Sequence, residues 1–200
     1  MYCFRFVTVF NMDQRVTIGE TFLNLNLEKD VNIIDIACGT GVVADELKEH
    51  GYHNIDGLDP MKGYIEVTKQ KNLYKNYFPI GVEPDKALPI QDETYDVMLC
   101  CAGFFKGLMS PKVFTELLRI VKKGGILIWN IAEGYEDFGG DFEHYDQIID
   151  TLRAQKQWDY LIPIQKLKRI VFTDSGAAYL GGYSGVGLDA QGFIYTMKRL

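Results

Sequence analysis

Several features that would place a protein in a special class are absent from this sequence of 200 residues. No apolar run approaches the roughly 20 residues that a membrane-spanning helix requires, so we expect no membrane contact. The apolar residues 1–10 lack the basic flank and the small-residue cleavage site of a signal peptide. The four cysteines fit neither a disulfide framework nor a CxxC metal pattern, which predicts no metal site and a reducing, cytoplasmic location. They are Cys3, Cys38, Cys100 and Cys101.

Basic residues are also in the minority. The sequence has 21 Lys and Arg against 27 Asp and Glu, a net charge of −6. This balance disfavours a nucleic-acid partner, because phosphate binding depends on clustered cations. The length predicts a single domain over residues 1–200, in which residues 1–30 form a short N-terminal segment. We expect a monomer or a homodimer.

Short β-branched runs alternate with helical patterns, which is typical of βα units around a parallel sheet. The prediction is an α/β fold with seven strands, mostly parallel, helices on both faces and an antiparallel strand near the C-terminus. Strands are expected at residues 31–36, 53–58, 77–82, 95–102, 126–132, 167–173 and 192–198. Helices are expected at residues 13–27, 42–50, 61–73, 112–121 and 142–156. Residues 122–125 should close the fourth helix, and the glycine-rich residues 176–187 should join the last two strands.

The most informative run is Asp-Ile-Ala-Cys-Gly-Thr-Gly at residues 35–41, between the first predicted strand and the next helix. Gly39 and Gly41 permit a tight turn and let a ligand approach the backbone closely. The helix start offers free N–H groups to an anion. Asp59 ends the second predicted strand, where its carboxylate can accept hydrogen bonds from both hydroxyls of a ribose. Together these features indicate a ligand that contains adenosine.

Two cofactor classes compete for this pattern. Residues 39–44, Gly-Thr-Gly-Val-Val-Ala, also satisfy the GxGxxA pattern of dinucleotide-binding proteins. Asp35 opposes that interpretation, because dinucleotide binders usually carry no acid before the glycines, whereas an acid there would face the amino group of an amino-acid-like ligand. No Tyr-x-x-x-Lys pair stands in a fitting position. A nicotinamide-dependent oxidoreductase is therefore the less favoured alternative.

Residues 35–41 resemble motif I of the class I S-adenosylmethionine (SAM)-dependent methyltransferases. Asp59, in Gly-Leu-Asp-Pro, resembles that family's ribose-binding acid. Residues 88–97 resemble its loop and fourth strand, and residues 119–126 its turn into the fifth strand. The resemblance implies a Rossmann-like methyltransferase fold, SAM as the cofactor, and transfer of a methyl group to an oxygen or nitrogen of a small molecule.

The resemblance also implies a role for individual residues. Asp35 would order the ammonium group of SAM, Asp59 would hold the ribose and Met61 would pack on the adenine. Glu83, or alternatively Asp85, would meet the adenine amino group. The remaining positions line the turn, the adenine side and the methyl-donor region. The full cofactor-binding set is Asp35, Ala37, Cys38, Gly39, Gly41, Asp59, Pro60, Met61, Glu83, Ala102 and Gly103.

The acceptor side of the site is less marked in the sequence. Methyl transfer is an in-line displacement that needs a base only when the acceptor is protonated at neutral pH. Glu133, Tyr135 and His144 follow the fifth predicted strand and are candidate bases, although a surface position also suits His144. Residues 1–30 lack the family's usual lid motif, so a non-catalytic SAM-binding partner subunit is a further alternative. Four aromatic residues suit either the core or a substrate pocket: Phe104, Phe105, Trp129 and Tyr135.

Overall fold

A central β-sheet crosses the computed structural model, which describes residues 14–170 and 190–200. The strands are β1 (Ile33–Ile36), β2 (Ile55–Leu58), β3 (Tyr77–Phe78), β4 (Tyr95–Cys100), β5 (Val121–Ala132), β6 (Trp158–Tyr160), β7 (Gln165–Ile170) and β8 (Ala190–Arg199). The helices are α1 (Gln14–Leu23), α2 (Val42–Glu49), α3 (Lys62–Gln70), α4 (Phe114–Ile120) and α5 (Tyr145–Ala154). Short 3₁₀ turns lie at Pro111–Val113, Tyr135–Phe138 and Gly140–His144.

The strand order is β3-β2-β1-β4-β5-β8-β6, with β7 also paired to β8. Pairing is parallel from β3 to β5, and β8 runs antiparallel to β5. Every residue of β1 is buried, as expected for a strand covered on both faces. The predicted Rossmann-like fold is confirmed. Because the order reverses between β1 and β4, the cleft at their carboxyl ends is where ligands bind in open sheets of this kind.

The second half of the sheet is built around β8. Its residues 192–198 pair with β5, while β6 and β7 pair with the two ends of its opposite edge. The described parts of the last two predicted strands are thus antiparallel neighbours, as expected, whereas residues 171–173 lie outside the described residues. Residues 176–187, predicted to join them, lie outside the described residues, as does residue 13 of the first predicted helix.

A cluster of aromatic side chains fills the core beneath this half of the sheet. Trp129 of β5 stacks on Trp158 at a centroid distance of 5.4 Å and on Tyr195 at 5.2 Å. Phe114 packs against both tryptophans, and Phe104 stacks on Phe114 at 4.7 Å. Trp129 and Phe104 therefore belong to the core and do not line an open substrate pocket.

The prediction was wrong about how α4 ends. Residues 122–125 belong to β5, and the helix already stops at Ile120, since Val121 is extended. Two carbonyl groups at the end of the helix accept hydrogen bonds from another loop, Arg119 from the N–H of Glu93 and Ile120 from the N–H of Thr94. Residues 122–125 interrupt the register between β4 and β5, because Tyr95 pairs with Val121 whereas Val97 pairs with Ile126.

Other boundaries also differ from the prediction. The third strand was expected to reach residue 82 but ends at Phe78, since Pro79 has no N–H to continue the pairing. The first helix was expected to reach residue 27 but ends at Leu23, and Asn26 then adopts a positive φ. The described sheet has eight strands instead of seven, because the sequence pattern did not predict the three-residue strand β6.

Within the described ranges, no helix combines the length and apolarity needed to cross a membrane. The same residues contain no group of three or more His, Cys, Asp or Glu side chains arranged to hold a metal ion.

One buried hydroxyl group in β8 lacks a hydrogen-bond partner. Among the described residues, this is Oγ1 of Thr196, which is fully buried. We expect Thr196→Val to raise the free energy of unfolding by about 1 kcal/mol, because it removes an unpaired polar atom without changing the shape. Thr68→Val is the matched control, since the buried Thr68 hydroxyl donates to the carbonyl of Ile65 at 2.8 Å. Urea unfolding should show the gain for Thr196→Val alone, and an equal effect in both variants would show that the unpaired hydroxyl carries no cost of its own.

Candidate active site

The predicted cofactor residues gather at the carboxyl ends of the central parallel strands. Asp35 lies in β1, Asp59 follows β2, and Ala102 follows β4. Register places Asp35 beside Gly57 of β2 and beside Leu99 of β4. Residues that are far apart in the sequence therefore share one edge of the sheet, at the point where its strand order reverses.

The glycine-rich turn after β1 has one open glycine and one enclosed glycine. Gly39 has φ +53°, and a Cβ atom there would meet nothing within 4 Å, so space lies over the backbone at this position. Gly41 has φ +78° and precedes α2, and a Cβ atom there would lie 2.3 Å from Cδ1 of Leu73. The first glycine leaves room for a ligand, whereas the second lets the helix start pack on the segment after α3.

Asp59 ties this turn to the start of α3. Its Oδ2 accepts a hydrogen bond from the N–H of Gly39 at 2.9 Å, and its Oδ1 accepts one from the N–H of Met61 at 2.8 Å. The residue is 5% exposed, and burial raises the pKa of its carboxyl group although the two backbone hydrogen bonds oppose the rise. Each oxygen keeps a second lone pair, so the carboxylate can still accept a pair of hydroxyl groups.

Asp35 is buried deeper, beneath the turn. Its Oδ2 accepts a hydrogen bond from the hydroxyl of Tyr74 at 2.7 Å. Burial raises the pKa of Asp35 to about 7, the hydrogen bond from Tyr74 lowers it, and the nearby charge of Asp59 raises it. A carboxyl group with this pKa changes its charge near neutral pH, which is a property of many functional sites.

Cys38 sits between these two acids. Its thiol is buried, and burial together with the charges of Asp35 and Asp59 raises its pKa. The N–H of Cys38 donates to the carbonyl of Leu58 at 3.1 Å, which fastens the turn to the end of β2. The thiol is therefore protonated at neutral pH, and the residue suits a small turn position better than a nucleophile.

Just after β1 and β4, the backbone adopts an uncommon conformation. Ala37 and Ala102, which follow the two strands, have φ +55° and +58°. A positive φ strains the backbone of a residue other than glycine. It persists only where the surrounding structure fixes that conformation, and residues of this kind are concentrated at functional sites. Asn130 of β5 holds the second turn, since its Oδ1 accepts the N–H of Ala102 at 2.7 Å. A Cβ atom at Gly103 would lie 2.9 Å from Cβ of Ala37, so the two turns pack directly together.

The residues predicted to bind the adenine lie at the surface. Met61 is 57% exposed, and Pro60 beside it is exposed as well. Glu83 is also exposed and forms an ion pair with Lys86 at 2.9 Å. The side chain of Met61 is thus free to cover a flat ligand, while Glu83 already has a partner in its own loop.

Residues 34–129 match the family described as "Methyltransferase domain". The chain is 31% identical over 112 residues to the ubiquinone/menaquinone biosynthesis C-methyltransferase UbiE of Campylobacter jejuni, covering 53% of this chain and 46% of that protein. It is 28% identical over 139 residues to human methyltransferase-like protein 27, covering 68% and 55%. The chain thus spans about half the length of these curated relatives.

Solved structures show the same fold at low identity. The TehB-like SAM-dependent methyltransferase from Corynebacterium glutamicum has a TM-score of 0.60 at 12% identity, covering 92% of this chain and 88% of that chain. The YcgJ protein from Bacillus subtilis has a TM-score of 0.65 at 14% identity, covering 92% and 98%.

Over residues 34–129 the chain is thus similar to the methyltransferase domain family, and its fold is shared with the SAM-dependent methyltransferase of known structure named above. The motif layout is also similar to that of the methyltransferase-like protein of the Williams–Beuren chromosomal region, the human relative named above.

The three candidate bases do not meet at one point. Glu133 is exposed and pairs with Lys166 at 3.4 Å. Tyr135 is buried, and its hydroxyl donates to Oδ1 of Asp146 at 2.6 Å. His144 is exposed and precedes α5. Burial and the bond to Asp146 raise the pKa of Tyr135, so its hydroxyl is a hydrogen-bond donor at neutral pH.

Sequence reasoning missed two residues of the candidate site, Tyr74 and Asn130. Asn130 is a polar residue in the otherwise apolar run Ile-Leu-Ile-Trp-Asn-Ile-Ala, and that interruption was a usable signal. Tyr74 stands in the connection between α3 and β3 and carries no comparable mark. Its hydrogen bond to Asp35 spans 39 residues of sequence, so only the folded chain reveals it.

The raised pKa of Asp35 predicts a pH-dependent stability. The native carboxyl group binds its proton more tightly than the unfolded one, so its contribution to the free energy of unfolding falls as the pH rises from about 4 to 7. We expect Asp35→Asn to remove this loss. Between pH 5 and pH 8 the variant should lose about 2–3 kcal/mol less stability than the wild type.

Denaturant unfolding of the ligand-free protein at both pH values measures the difference, with Asp96→Asn as the control. Burial raises the pKa of Asp96, but hydrogen bonds from Lys122 and from the N–H of Asn32 outweigh this and lower it. Asp96 is therefore ionised throughout the range, and its variant should keep the wild-type slope. An Asp35→Asn protein with the wild-type slope would contradict the raised pKa of Asp35.

Proposed function

We propose that this chain transfers the methyl group of SAM to an oxygen or nitrogen atom of a small molecule. The observation that carries the proposal is the carboxylate of Asp59, fixed by the N–H groups of Gly39 and Met61 at the point where the strand order reverses. Adjacent to it, the backbone at Gly39 is open. An acid and an open turn in this arrangement suit a nucleoside with an anionic end.

The residues fit the cofactor in the following roles. The two free lone pairs of Asp59 accept the ribose hydroxyls, and the exposed side chain of Met61 covers the adenine beside Pro60. Glu83 reaches the adenine amino group only after leaving Lys86. The turn formed by Ala37, Cys38, Gly39 and Gly41 lies along the amino-acid part, Asp35 faces its ammonium group, and Ala102 and Gly103 border the methyl donor.

SAM supplies an electrophilic methyl group, and the chain has to align an acceptor with it and exclude water. Asn130 contributes by holding the N–H of Ala102, which fixes the turn on the acceptor side of the cleft. Because the single O–H of Tyr135 donates its hydrogen bond to Asp146, the hydroxyl oxygen can still accept a hydrogen bond from the acceptor, and the residue suits an orienting group better than a base. Acceptors that need no base, such as carboxylates and neutral amines, are favoured. Glu133 and His144 stay candidate bases.

A second candidate is transfer to carbon. It is favoured by the relatives named as C-methyltransferases, which share up to 31% identity with this chain. Carbon acceptors usually require removal of a proton from the acceptor, so this candidate assigns a larger role to Glu133 or His144.

Binding of S-adenosylhomocysteine tests the cofactor assignment. We expect micromolar binding by calorimetry, and a loss of at least about 100-fold in Asp59→Ala, because two hydrogen bonds to a charged group disappear. Asp56→Ala is the matched control. Asp56 lies in β2, the strand that Asp59 follows, and it also accepts several hydrogen bonds, but from Asn76 and Tyr95, outside the cleft. Binding of NAD in place of the adenosyl ligand would overturn the proposal.

The acceptor atom is tested with SAM that carries a ¹³C-labelled methyl group. Incubation with panels of carboxylates, amines and phenols should label a product whose methyl chemical shift identifies oxygen or nitrogen as the acceptor. A methyl group attached to carbon would support the second candidate. Cofactor binding with no transfer to any panel, together with a stoichiometric protein partner, would instead indicate the non-catalytic subunit.

A further inference from the structure

Tyr74 crosses from the α3–β3 connection to β1 by passing over β2. Its ring lies against Gly57, where a Cβ atom would be only 2.5 Å from two ring carbons, Cδ2 and Cε2. Gly57 is the residue of β2 that pairs with Asp35 in β1. A side chain larger than hydrogen at this position would displace the ring. The glycine therefore provides the path by which the tyrosine reaches the neighbouring strand.

The hydroxyl group of Tyr74 lies within the glycine-rich turn. It donates to Oδ2 of Asp35 at 2.7 Å, and it lies 3.2 Å from the position of a Cβ atom on Gly41. It also interacts with Cys38, whose position is set by the turn itself. One phenol thus contacts both the acid at the end of β1 and the turn above it.

The tyrosine is firmly held in this position. It is 4% exposed, and its N–H donates to the hydroxyl of Tyr77 at 3.2 Å. The two rings also meet edge to face with centroids 5.7 Å apart. The next residue, Lys75, donates its N–H to the carbonyl of Ile55 and so fastens the segment to β2. The hydroxyl is therefore presented to Asp35 at low entropic cost.

We propose that Tyr74 is a positioning residue for the cofactor, whose hydroxyl orients the carboxyl group of Asp35 beneath the glycine-rich turn. The inference rests on the proposed function, because Asp35 is the group that faces the ammonium end of SAM there. It adds a residue from outside the motifs that define the site.

The surroundings of Asp35 explain why its charged form needs this support. The titratable groups that face it are Cys38 from the turn, Asp59 from the end of β2, Cys100 from β4 and Tyr74 itself. Burial and the charge of Asp59 both favour the protonated carboxyl, and the hydrogen bond from Tyr74 opposes them. Without that bond, the carboxyl group would be neutral over a wider range of pH.

Tyr74→Phe tests the inference through a pH profile. We expect its affinity for S-adenosylhomocysteine to fall about 5–10-fold at pH 7 and to approach the wild-type value at pH 9, where Asp35 ionises in both proteins. The midpoint at which affinity rises with pH should move to higher pH. In an Asp35→Asn background the same tyrosine change should alter the affinity by less than about twofold, because the tyrosine acts through the acid.

Tyr95→Phe is the matched control. Tyr95 is also buried, and its hydroxyl donates to Oδ2 of Asp56 at 2.8 Å. This is a second tyrosine–aspartate pair, but its acid lies in the neighbouring strand β2 and outside the cleft. Its removal should leave the pH profile of binding unchanged. Gly57→Ala provides a second route to the same defect, since the added Cβ displaces the ring of Tyr74, and it should shift the profile in the same direction.

The outcomes separate the two proposals. A wild-type protein that binds S-adenosylhomocysteine while Tyr74→Phe binds it equally at every pH would overturn the role of Tyr74 alone. An equal loss at every pH, or an equal loss in the Asp35→Asn background, would show a merely structural role and overturn it as well. Absence of binding in the wild type would overturn the proposed function, and this inference with it.

Discussion

The arrangement of the cleft depends on keeping two carboxyl groups, Asp35 and Asp59, inside a folded chain with little water. A buried carboxylate is costly unless hydrogen bonds replace its hydration. For Asp59 the replacement comes from two backbone N–H groups, which forces the turn after β1 and the start of α3 to converge on one side chain. For Asp35 it comes from a single phenol. The shape of the turn is thus a consequence of how the two acids are satisfied.

Local signals were sufficient for much of the fold. The buried strands β1 and β4 are short apolar runs, and α2 follows directly from its spacing of buried Val43, Ala44 and Leu47. The errors lie where distant backbone takes over. The end of α4 is set by N–H groups of another loop, and the short strand β6 exists only because β8 offers it an edge. Neither cause is visible in a local window of sequence.

The residues of the candidate site likewise fall into those that the local sequence predicts and those that it does not. Asp35, Asp59 and the two glycines belong to motifs of a few residues, so their type and spacing alone indicate an adenosine ligand. Tyr74 and Asn130 join the cleft through hydrogen bonds that span 39 and 28 residues. The partners in each bond come together only once the sheet has formed in its register. The acceptor side gave the weakest indication, because Glu133 and Tyr135 contact different neighbours and His144 is exposed at the start of α5.

Strand β8 has a consequence for how the protein is made. It is the last described strand in the chain, yet it fills a gap between β5 on one edge and β6 and β7 on the other. During synthesis β5, which carries Trp129, must wait with an unpaired edge until residues 190–199 leave the ribosome. Such late, long-range pairing slows folding and leaves an unpaired strand edge that is prone to aggregation. A nascent chain of this design would therefore depend on chaperones for its second half more than for its first half.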